Sequence, residues 1–326
     1  MNYSTLSYDL ASRRDTDELV ALYREFYPTL GWTQDLLEWQ YFKNPSGDAR
    51  IWTARDGGRI VATYVGIPHR VHLHGKIATG WRIQDVLTRP EYRGFGIYHS
   101  LFKMAKKYLT DPVFPMNFTF PNEKSHNGFV TMGWVPAVRI PLRVLDNLGP
   151  AHRQKSIPAE VSPTSFFSSE NELVWRSHVK RYRFAIDRSA DYLNWRYVKH
   201  PREKYFSYAL RSGADEAVLI LKYYDRENGE RWAHICDYFQ RGTDQELAGS
   251  AVAYAVDFAV GHGAKAVSGW CPKGDPLAAL LDHWGFLLQE NLTRWLVVNV
   301  NSDSITQETV CNEGIWHLSM GDSDVY

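Results

Sequence analysis

The chain has 326 residues, of which 44% are apolar and 14% aromatic, enough for two hydrophobic cores. Its 37 basic and 37 acidic side chains balance, which argues against general binding to nucleic acids or anionic membranes. The three cysteines lack metal-ligand spacing, the N-terminus lacks an apolar core, and no apolar run reaches about 20 residues. We therefore expect a soluble, cytoplasmic protein without a metal site.

The first 145 residues alternate between helical and strand patterns. The predicted helices cover residues 16–27, 34–42, 97–108 and 123–132. The predicted strands cover residues 51–54, 60–67, 71–73, 79–88, 116–120 and 135–145, with a turn at 56–58 that makes a hairpin of the first two.

Residues 146–170 contain three prolines and little periodicity, which predicts a linker. Another run of helices and strands follows. We therefore expect a first domain at 1–145, a linker at 146–170, a second domain at 171–300 and a C-terminal tail at 301–326.

The second half repeats the first. Three motifs recur in the same order, at offsets of 151 to 156 residues. They are Leu-x-Trp-x-Tyr-x-Lys-x-Pro at 37–45 and 193–201, Ile-x-Asp-x-x-x-Arg at 83–89 and 235–241, and a Pro followed by Gly-Trp or Gly-Phe at 121–134 and 272–286. Three matches at a nearly constant offset indicate a duplication.

Residues 85–97 are the most informative stretch, since they read as a strand, a glycine-containing turn and a helix start. Such a turn directs backbone N–H groups to one point, and the helix dipole makes that point attractive to a diphosphate. Gly94 and Gly96 let a phosphate approach the backbone, and Arg93 adds a positive charge. A plain connecting turn is the alternative. The third glycine of a dinucleotide-binding motif and the Gly-Lys-Ser/Thr of a P-loop are both missing.

This stretch resembles the pyrophosphate loop of the GNAT N-acetyltransferase superfamily, usually Arg/Gln-x-x-Gly-x-Gly/Ala. Arg93 and Gly96 match, and Tyr98 stands at the last position. The family's Asn-x-x-Ala-x-x-x-Tyr-x-x-x-Gly-Phe motif is also matched in every spacing, from Asn122 through Phe129 to Trp134.

The resemblance implies an α/β (α+β) fold of two tandem GNAT-like domains, each a mixed, mostly antiparallel twisted sheet flanked by helices. It also implies acetyl-CoA as co-substrate. The backbone of Val86, Leu87 and Thr88 would pair with the pantetheine arm, and one of those N–H groups would hold the thioester oxygen. The residues that would hold the pyrophosphate are Arg93, Gly94, Phe95, Gly96, Ile97 and Tyr98. Asn122 would bond the pantetheine arm or adjacent backbone.

The sequence offers several candidates for the catalytic acid and one for the base. Phe129 replaces the tyrosine that is commonly proposed to protonate the leaving thiolate, so Tyr98, His126, Tyr92 or water would have to serve. Asp85 is the candidate base. However, Asp237 recurs at the matching place in the second half, where the Arg-x-x-Gly-x-Gly loop is absent, and this favours a structural role.

Three histidines, His69, His72 and His74, fall at near-alternate positions around a predicted strand. Their spacing could suit a metal ion, but the sequence does not indicate a third ligand that would complete such a site. We therefore interpret them as surface or cleft residues.

The leading hypothesis is an N-acetyltransferase with one active site, in the first half, and a degenerate second half. The acceptor would be the amine of a small molecule, with an amino sugar or polysaccharide precursor as one option, and transfer would be direct, in a ternary complex. The alternatives are a non-catalytic acyl-CoA-binding or regulatory module, and a transferase that uses a longer acyl-CoA or acyl-carrier-protein donor. Transferases of similar architecture that use aminoacyl-tRNA lack the Arg-x-x-Gly loop, so the presence of this loop argues against that activity. Neither nucleic acid nor membrane is expected as a partner, and the sequence does not predict the oligomeric state.

Overall fold

The structure is a computed structural model that describes residues 6–154, 156–303 and 305–323. Its helices are α1 (Thr16–Phe26), α2 (Gln34–Phe42), α3 (Ile97–Leu109), α4 (Glu123–Thr131), α5 (Ser169–His178), α6 (Ala190–Leu193), α7 (Gln245–Gly261), α8 (Pro276–His283) and α9 (Gln307–Val310). Its strands are β1 (Ser7–Ala11), β2 (Arg50–Asp56), β3 (Arg59–Leu73), β4 (Lys76–Thr88), β5 (Met116–Thr119), β6 (Val135–Leu145), β7 (Glu160–Pro163), β8 (Phe184–Ile186), β9 (Phe206–Ser212), β10 (Asp215–Asp225), β11 (Arg231–Gln240), β12 (Ala266–Trp270), β13 (Leu287–Val300) and β14 (Trp316–His317).

Local sequence accounts for the start of α2 and for the buried face of α1. The Thr33 side chain accepts a hydrogen bond from the Leu36 N–H at 3.1 Å and so caps α2. Leu19, Leu22 and Tyr23 fall on one face of α1 and are fully buried, as the helical spacing predicts.

One sheet runs through both halves, with its strands in the order β1-β2-β3-β4-β5-β13-β6-β12-β11-β10-β9-β7. The β4–β5 and β11–β12 pairs are parallel, and the other pairs along this path are antiparallel. The arrangement is symmetric about its centre. Read inwards from each end, the strands of each half follow their order in the chain, except that the last strands of the two halves, β6 and β13, have changed places. Each half therefore contributes its last strand to the other half of the sheet.

Two details differ from the sequence-based expectation. The strands predicted at 60–67 and 71–73 form the single strand β3, although Pro68 lies inside it. Pro68 is tolerated because pairing with β2 ends at Gly66 and pairing with β8 begins only at Val71, so the sheet needs no N–H there. The segment predicted as a linker contains β7, which pairs with β9 at the sheet edge.

The first copy of the Trp-containing motif begins on α2, and the second begins on α6 and continues into the helical turn that follows α6. The two copies pack against each other between the halves. Among the residues described here, none of the helices is both long enough and apolar enough to cross a bilayer.

Candidate active site

The first half of the sheet contains an opening between two parallel strands. β4 pairs with β5 at Arg82 and Phe118, whereas its pairing with β3 on the other side continues as far as Thr88. Within the described ranges, no strand covers residues 83–88 of β4 on the β5 side. The backbone of this segment can therefore accept an extended, amide-containing ligand as an added strand.

A β-bulge lies at the start of this opening. Thr63 pairs with Leu87 and Val65 pairs with Gln84, so Asp85 and its neighbour on β4 together face one residue of β3. Asp85 has a φ of 47°, in the left-handed region that Asp tolerates better than most residues. Bulges bend a strand and increase its twist, which helps β4 to diverge from β5.

A bulge also lies beside the matching residue, Asp237, in the second half. There the register of β10 and β11 shifts between the Ile220–Asp237 and Leu221–Ile235 pairs. The duplication indicated by the motifs thus extends to an irregularity of the backbone.

The loop after β4 leads directly to the first turn of α3. Gly94 and Gly96 have φ of 83° and 71°, and a Cβ at either would meet no atom within 4 Å. Gly96 is the N-cap of α3, and no side chain caps this helix end. Its first N–H groups and its dipole are thus available to an anion. Arg93 is exposed on this loop. Its Nε donates a hydrogen bond to the Thr88 carbonyl oxygen at 3.1 Å, which holds the side chain beside the end of β4.

Asn122 is exposed and caps α4. Its Oδ1 accepts hydrogen bonds from the N–H groups of Lys124 and Ser125, each at 3.0 Å. The described contacts of Asn122 are therefore with adjacent backbone, one of the two roles that the resemblance implies.

Tyr98 packs between α3 and α4. Its hydroxyl is buried, and no group in the described part of the chain hydrogen-bonds to it. The ring lies against Gly128 of α4 and makes an edge contact with Phe129, at a centroid distance of 6.5 Å. Burial raises the pKa of Tyr98 to about 12, so this hydroxyl remains protonated at neutral pH.

His126 lies on α4, with its ring against Trp295 of β13 at 5.5 Å. Nδ1 is 3.4 Å from the side-chain oxygen of Asn127. Nε2 is buried, and none of the described residues bonds to it. The His126 ring therefore lies against β13, a strand contributed by the second half.

Asp85 is buried and has several donors around its carboxylate. Oδ2 accepts hydrogen bonds from the Tyr41 hydroxyl, from Gln84 Nε2 at 2.7 Å and from Gln40 Nε2 at 3.4 Å. These contacts direct the carboxylate towards α2, whereas Tyr98 packs with α4. The described hydrogen bonds of the candidate base do not include this candidate acid.

Asp237 has the equivalent environment in the second half. It accepts a hydrogen bond from the Tyr197 hydroxyl at 2.8 Å and forms a fully buried ion pair with Arg188 at 2.7 Å. Burial alone would raise its pKa, but Arg188 and His317 hold it well below the usual range. The partnership of Tyr41 with Asp85 was missed from sequence, although both residues recur together in the repeat.

The interpretation of the histidines as surface or cleft residues is wrong for two of the three. His69 is buried between the halves, and burial, then the charges of three arginines, lowers its pKa well below 6.5. His72 is buried too, and it pairs with Asp187 at 3.0 Å. His74 is exposed. In the described ranges, three or more potential metal ligands do not come together.

Part of the first half of the chain matches a protein-family model. Residues 7–135 match the family model for the acetyltransferase (GNAT) domain. A search of curated proteins finds no match to the sequence.

Solved structures are similar over almost the whole chain. A GCN5-related N-acetyltransferase from Anabaena variabilis ATCC 29413 is 13% identical, with a TM-score of 0.68, over 91% of this chain and 73% of that one. A conserved protein of unknown function from Enterococcus faecalis V583, described as a probable N-acyltransferase, is 14% identical, with a TM-score of 0.70 and the same coverage. N-myristoyltransferase from Saccharomyces cerevisiae with bound myristoyl-CoA is 11% identical, with a TM-score of 0.61, over 92% of this chain and 79% of that one. At these identities the similarity shows the fold.

Proposed function

We propose that residues 7–135, which match the family model for the acetyltransferase (GNAT) domain, transfer an acetyl group from acetyl-CoA to the amine of a small molecule. The observation that carries the proposal is the opening between β4 and β5, which lies beside a helix N-terminus without a side-chain cap. The opening supports binding of the pantetheine arm, and the helix end supports binding of the pyrophosphate.

The second half lacks this combination. The helix that follows β11 is α7, and its N-terminus is capped by the Asp244 carboxylate, which accepts from the Glu246 N–H at 2.8 Å. A negative charge at this position repels a phosphate. The chain is therefore proposed to have one active site, in the first half.

Transfer would be direct. The neutral amine attacks the thioester carbonyl carbon, and the N–H groups of Val86, Leu87 or Thr88 stabilise the negative charge on its oxygen. The C–S bond then breaks, and the electron pair leaves with the sulfur. The amine proton passes to water, and the thiolate takes a proton from an acid.

Tyr98 is the acid that we propose. Its hydroxyl is protonated at neutral pH, and its lack of a partner among the described residues would be relieved by a bound thioester or thiolate. His126 is the alternative acid. For Asp85 we propose a structural role, since its carboxylate is buried and already accepts hydrogen bonds from three side chains.

A longer acyl-CoA is the second candidate donor. The observation that favours it is the similarity in fold to a yeast enzyme that holds myristoyl-CoA. Competition between acetyl-CoA and acyl-CoA esters of increasing chain length would decide between the two donors.

Calorimetric titration with acetyl-CoA tests the proposal. We expect wild type to bind, and Gly96→Glu to lose binding because the new carboxylate would face the pyrophosphate. Gly263→Glu is the matched control, since Gly263 is also exposed, has a φ of 72° and has no atom within 4 Å of a built Cβ. An absence of binding by wild type would refute the proposal, and equal binding by both variants would show that the loop is not the site.

Thiol release then tests catalysis. Acetyl-CoA is mixed with wild type and a panel of amines that includes amino sugars, polyamines and amino acids. Amine-dependent release of CoA supports the transferase. Binding of acetyl-CoA without release in the presence of any amine would favour a non-catalytic module.

A further inference from the structure

The second half contains a cavity, partly open to solvent, that the proposed reaction does not use. It has a volume of about 140 Å³ and lies where β11 and β12 separate, beyond their last pair at Ile235 and Gly269. This place corresponds to the β4–β5 opening of the first half. The strands β5, β13, β6 and β12 lie between the two openings, so a ligand in the cavity would not contact a thioester held at β4.

The cavity is unsuited to a diphosphate. The two helices that border it, α7 and α8, are both capped by carboxylates. Asp244 accepts from the Glu246 N–H, and Asp275 accepts from the Leu277 N–H, each at 2.8 Å. Both helix ends are therefore occupied by negative charge.

The histidines that line the cavity form a hydrogen-bond chain with a fixed direction. The Gln240 N–H can only donate, so His178 Nδ1, at 3.2 Å, is the acceptor. His178 Nε2 then carries the proton and donates to His317 Nδ1 at 3.3 Å. His317 Nε2 in turn carries its proton towards Asp237, at 3.7 Å. Burial, followed by the charges of His317 and Arg181, lowers the pKa of His178 well below 6.5, so this histidine is neutral.

This chain leaves neither ring with a nitrogen lone pair for a substrate. Cys271 also lines the cavity, but burial, followed by the nearby Asp275, raises the pKa of its thiol well above the usual value. A protonated thiol is a poor nucleophile. The two histidines and Cys271 are thus not available to react with a ligand in the cavity.

Side chains of opposite charge line the cavity. The Tyr182 hydroxyl donates to Asp275 Oδ2 at 3.1 Å, and the exposed Arg181 is a second charged lining residue. Burial, followed by Asp275, raises the pKa of Tyr182, while Arg181 opposes this shift, so both charges act on one hydroxyl. The remaining lining is mixed: aliphatic side chains, Ile235, Ala248, Leu277, Leu280 and Leu318, alternate with polar and aromatic ones, and most of the wall area is apolar.

The volume sets the size of the ligand. A cavity of about 150 Å³ accommodates benzene, so this one has room for a molecule of roughly six to nine non-hydrogen atoms. An ammonium group would pair with Asp275, a carboxylate would pair with Arg181, and a short hydrocarbon would fill the aliphatic part.

We propose that the cavity between β11 and β12 binds a small zwitterion with an aliphatic body, of the chemical class of the aliphatic α-amino acids, as a ligand that does not react. The proposal is independent of acyl transfer in the first half.

Calorimetric titration of the full chain with L-leucine and L-valine tests this site. We expect binding of at least one of them, and binding at least about tenfold weaker for isobutylamine and isovalerate, since each carries only one of the two charges. Failure of both amino acids to bind at about 10 mM would overturn the proposal. Equal binding of either singly charged analogue would also overturn it, as would binding of inorganic pyrophosphate at the same site.

Variants locate the site. Asp275→Asn keeps a helix-capping oxygen but removes the charge, and we expect at least about tenfold weaker binding. Asp244→Asn is the matched control, because it makes the same change at the cap of α7, and it should bind as wild type does. Equal affinity of these two variants would place the ligand elsewhere. Circular dichroism before titration establishes that both variants are folded.

Two further variants separate this proposal from the proposed function. Leu280→Trp fills the half-buried aliphatic part of the cavity and should abolish amino-acid binding while acetyl-CoA binding persists. Gly96→Glu should show the reverse. Loss of both ligands in either variant would contradict two separate sites.

Discussion

Trp39 and Trp195 each donate an indole N–H to the main-chain carbonyl oxygen of the other, at 2.9 Å in both directions. Their rings are stacked, with centroids 4.7 Å apart and an angle of 15° between the planes. The two tryptophans hold corresponding positions in the repeated motif. The contact is therefore symmetric, and it joins the same two halves that exchange β6 and β13.

We expect Trp39→Phe and Trp195→Phe each to lower the free energy of unfolding by about 1–3 kcal/mol, because each removes an indole donor from a buried carbonyl. The double variant should lose less than the sum, by about 0.5–1.5 kcal/mol, since the stacked pair is disturbed only once. Urea unfolding of the four proteins measures this coupling. Strict additivity would contradict a direct energetic contact.

Asp85→Asn tests whether this carboxylate is structural. Asparagine tolerates the left-handed backbone and still offers an acceptor to Tyr41, so we expect kcat to fall by less than about tenfold. Tyr41→Phe, which removes the donor, should lower the free energy of unfolding by about 1–3 kcal/mol. A loss of about 100-fold or more in kcat would instead make Asp85 the general base, if kcat recovers at high pH. At high pH the amine substrate is already neutral and needs no base.

Arg188 is fully buried between two carboxylates, with Asp237 at 2.7 Å and Asp322 at 2.6 Å. Arg188→Met leaves both uncompensated, so we expect the free energy of unfolding to fall by about 3–5 kcal/mol. The control is Arg176→Met, which removes an exposed arginine and should leave the urea midpoint almost unchanged. Similar midpoints for the two variants would show that the buried network adds little stability.

Tyr98→Phe should lower kcat by about 100-fold if its hydroxyl protonates the thiolate, with little change in the affinity for acetyl-CoA. Tyr92, the third tyrosine or histidine candidate from the sequence, already donates its hydroxyl to Asp56 at 2.7 Å, so Tyr92→Phe is the control and should keep the kcat of wild type. His126→Gln distinguishes the alternative acid. If kcat is unchanged in Tyr98→Phe and falls in His126→Gln, the role belongs to the histidine.

Acidification should destabilise the protein from about pH 6.5 downwards. Burial, followed by the charge of Lys222, lowers the pKa of His234 to about 3, and burial, followed by Arg196, lowers that of His200 to about 3. The folded state thus favours neutral rings. The stability that they contribute is present above the unfolded pKa of about 6.5 and is lost as the pH falls towards 3.

His234→Gln should therefore reduce the loss of stability between pH 6.5 and 5.5, by up to about 1.4 kcal/mol. Urea unfolding at the two pH values gives this difference. His99→Gln, at an exposed position of α3, serves as the control and should follow wild type. An unchanged difference in His234→Gln would contradict the lowered pKa.

The sequence predicted much of the local structure, because that structure depends on neighbours in the chain. The cap at Thr33, the apolar face of α1 and the glycines before α3 are set by contacts within a few residues. The motif matches across residues 93–98 and 122–134 indicated the family for the same reason, since each motif lies within a short stretch of the chain. The repeat was also visible without coordinates, as three motifs at a nearly constant offset.

Tertiary structure decided the contacts that join distant segments. The exchange of β6 and β13 could not be predicted, because a strand's apolar pattern shows that it will be buried but not which neighbour it will pair with. The roles assigned to Asp85, His69 and His72 depended in the same way on partners far along the chain. A side chain's type limits the partners that it can accept, but only the packed fold determines which of them come within hydrogen-bonding distance.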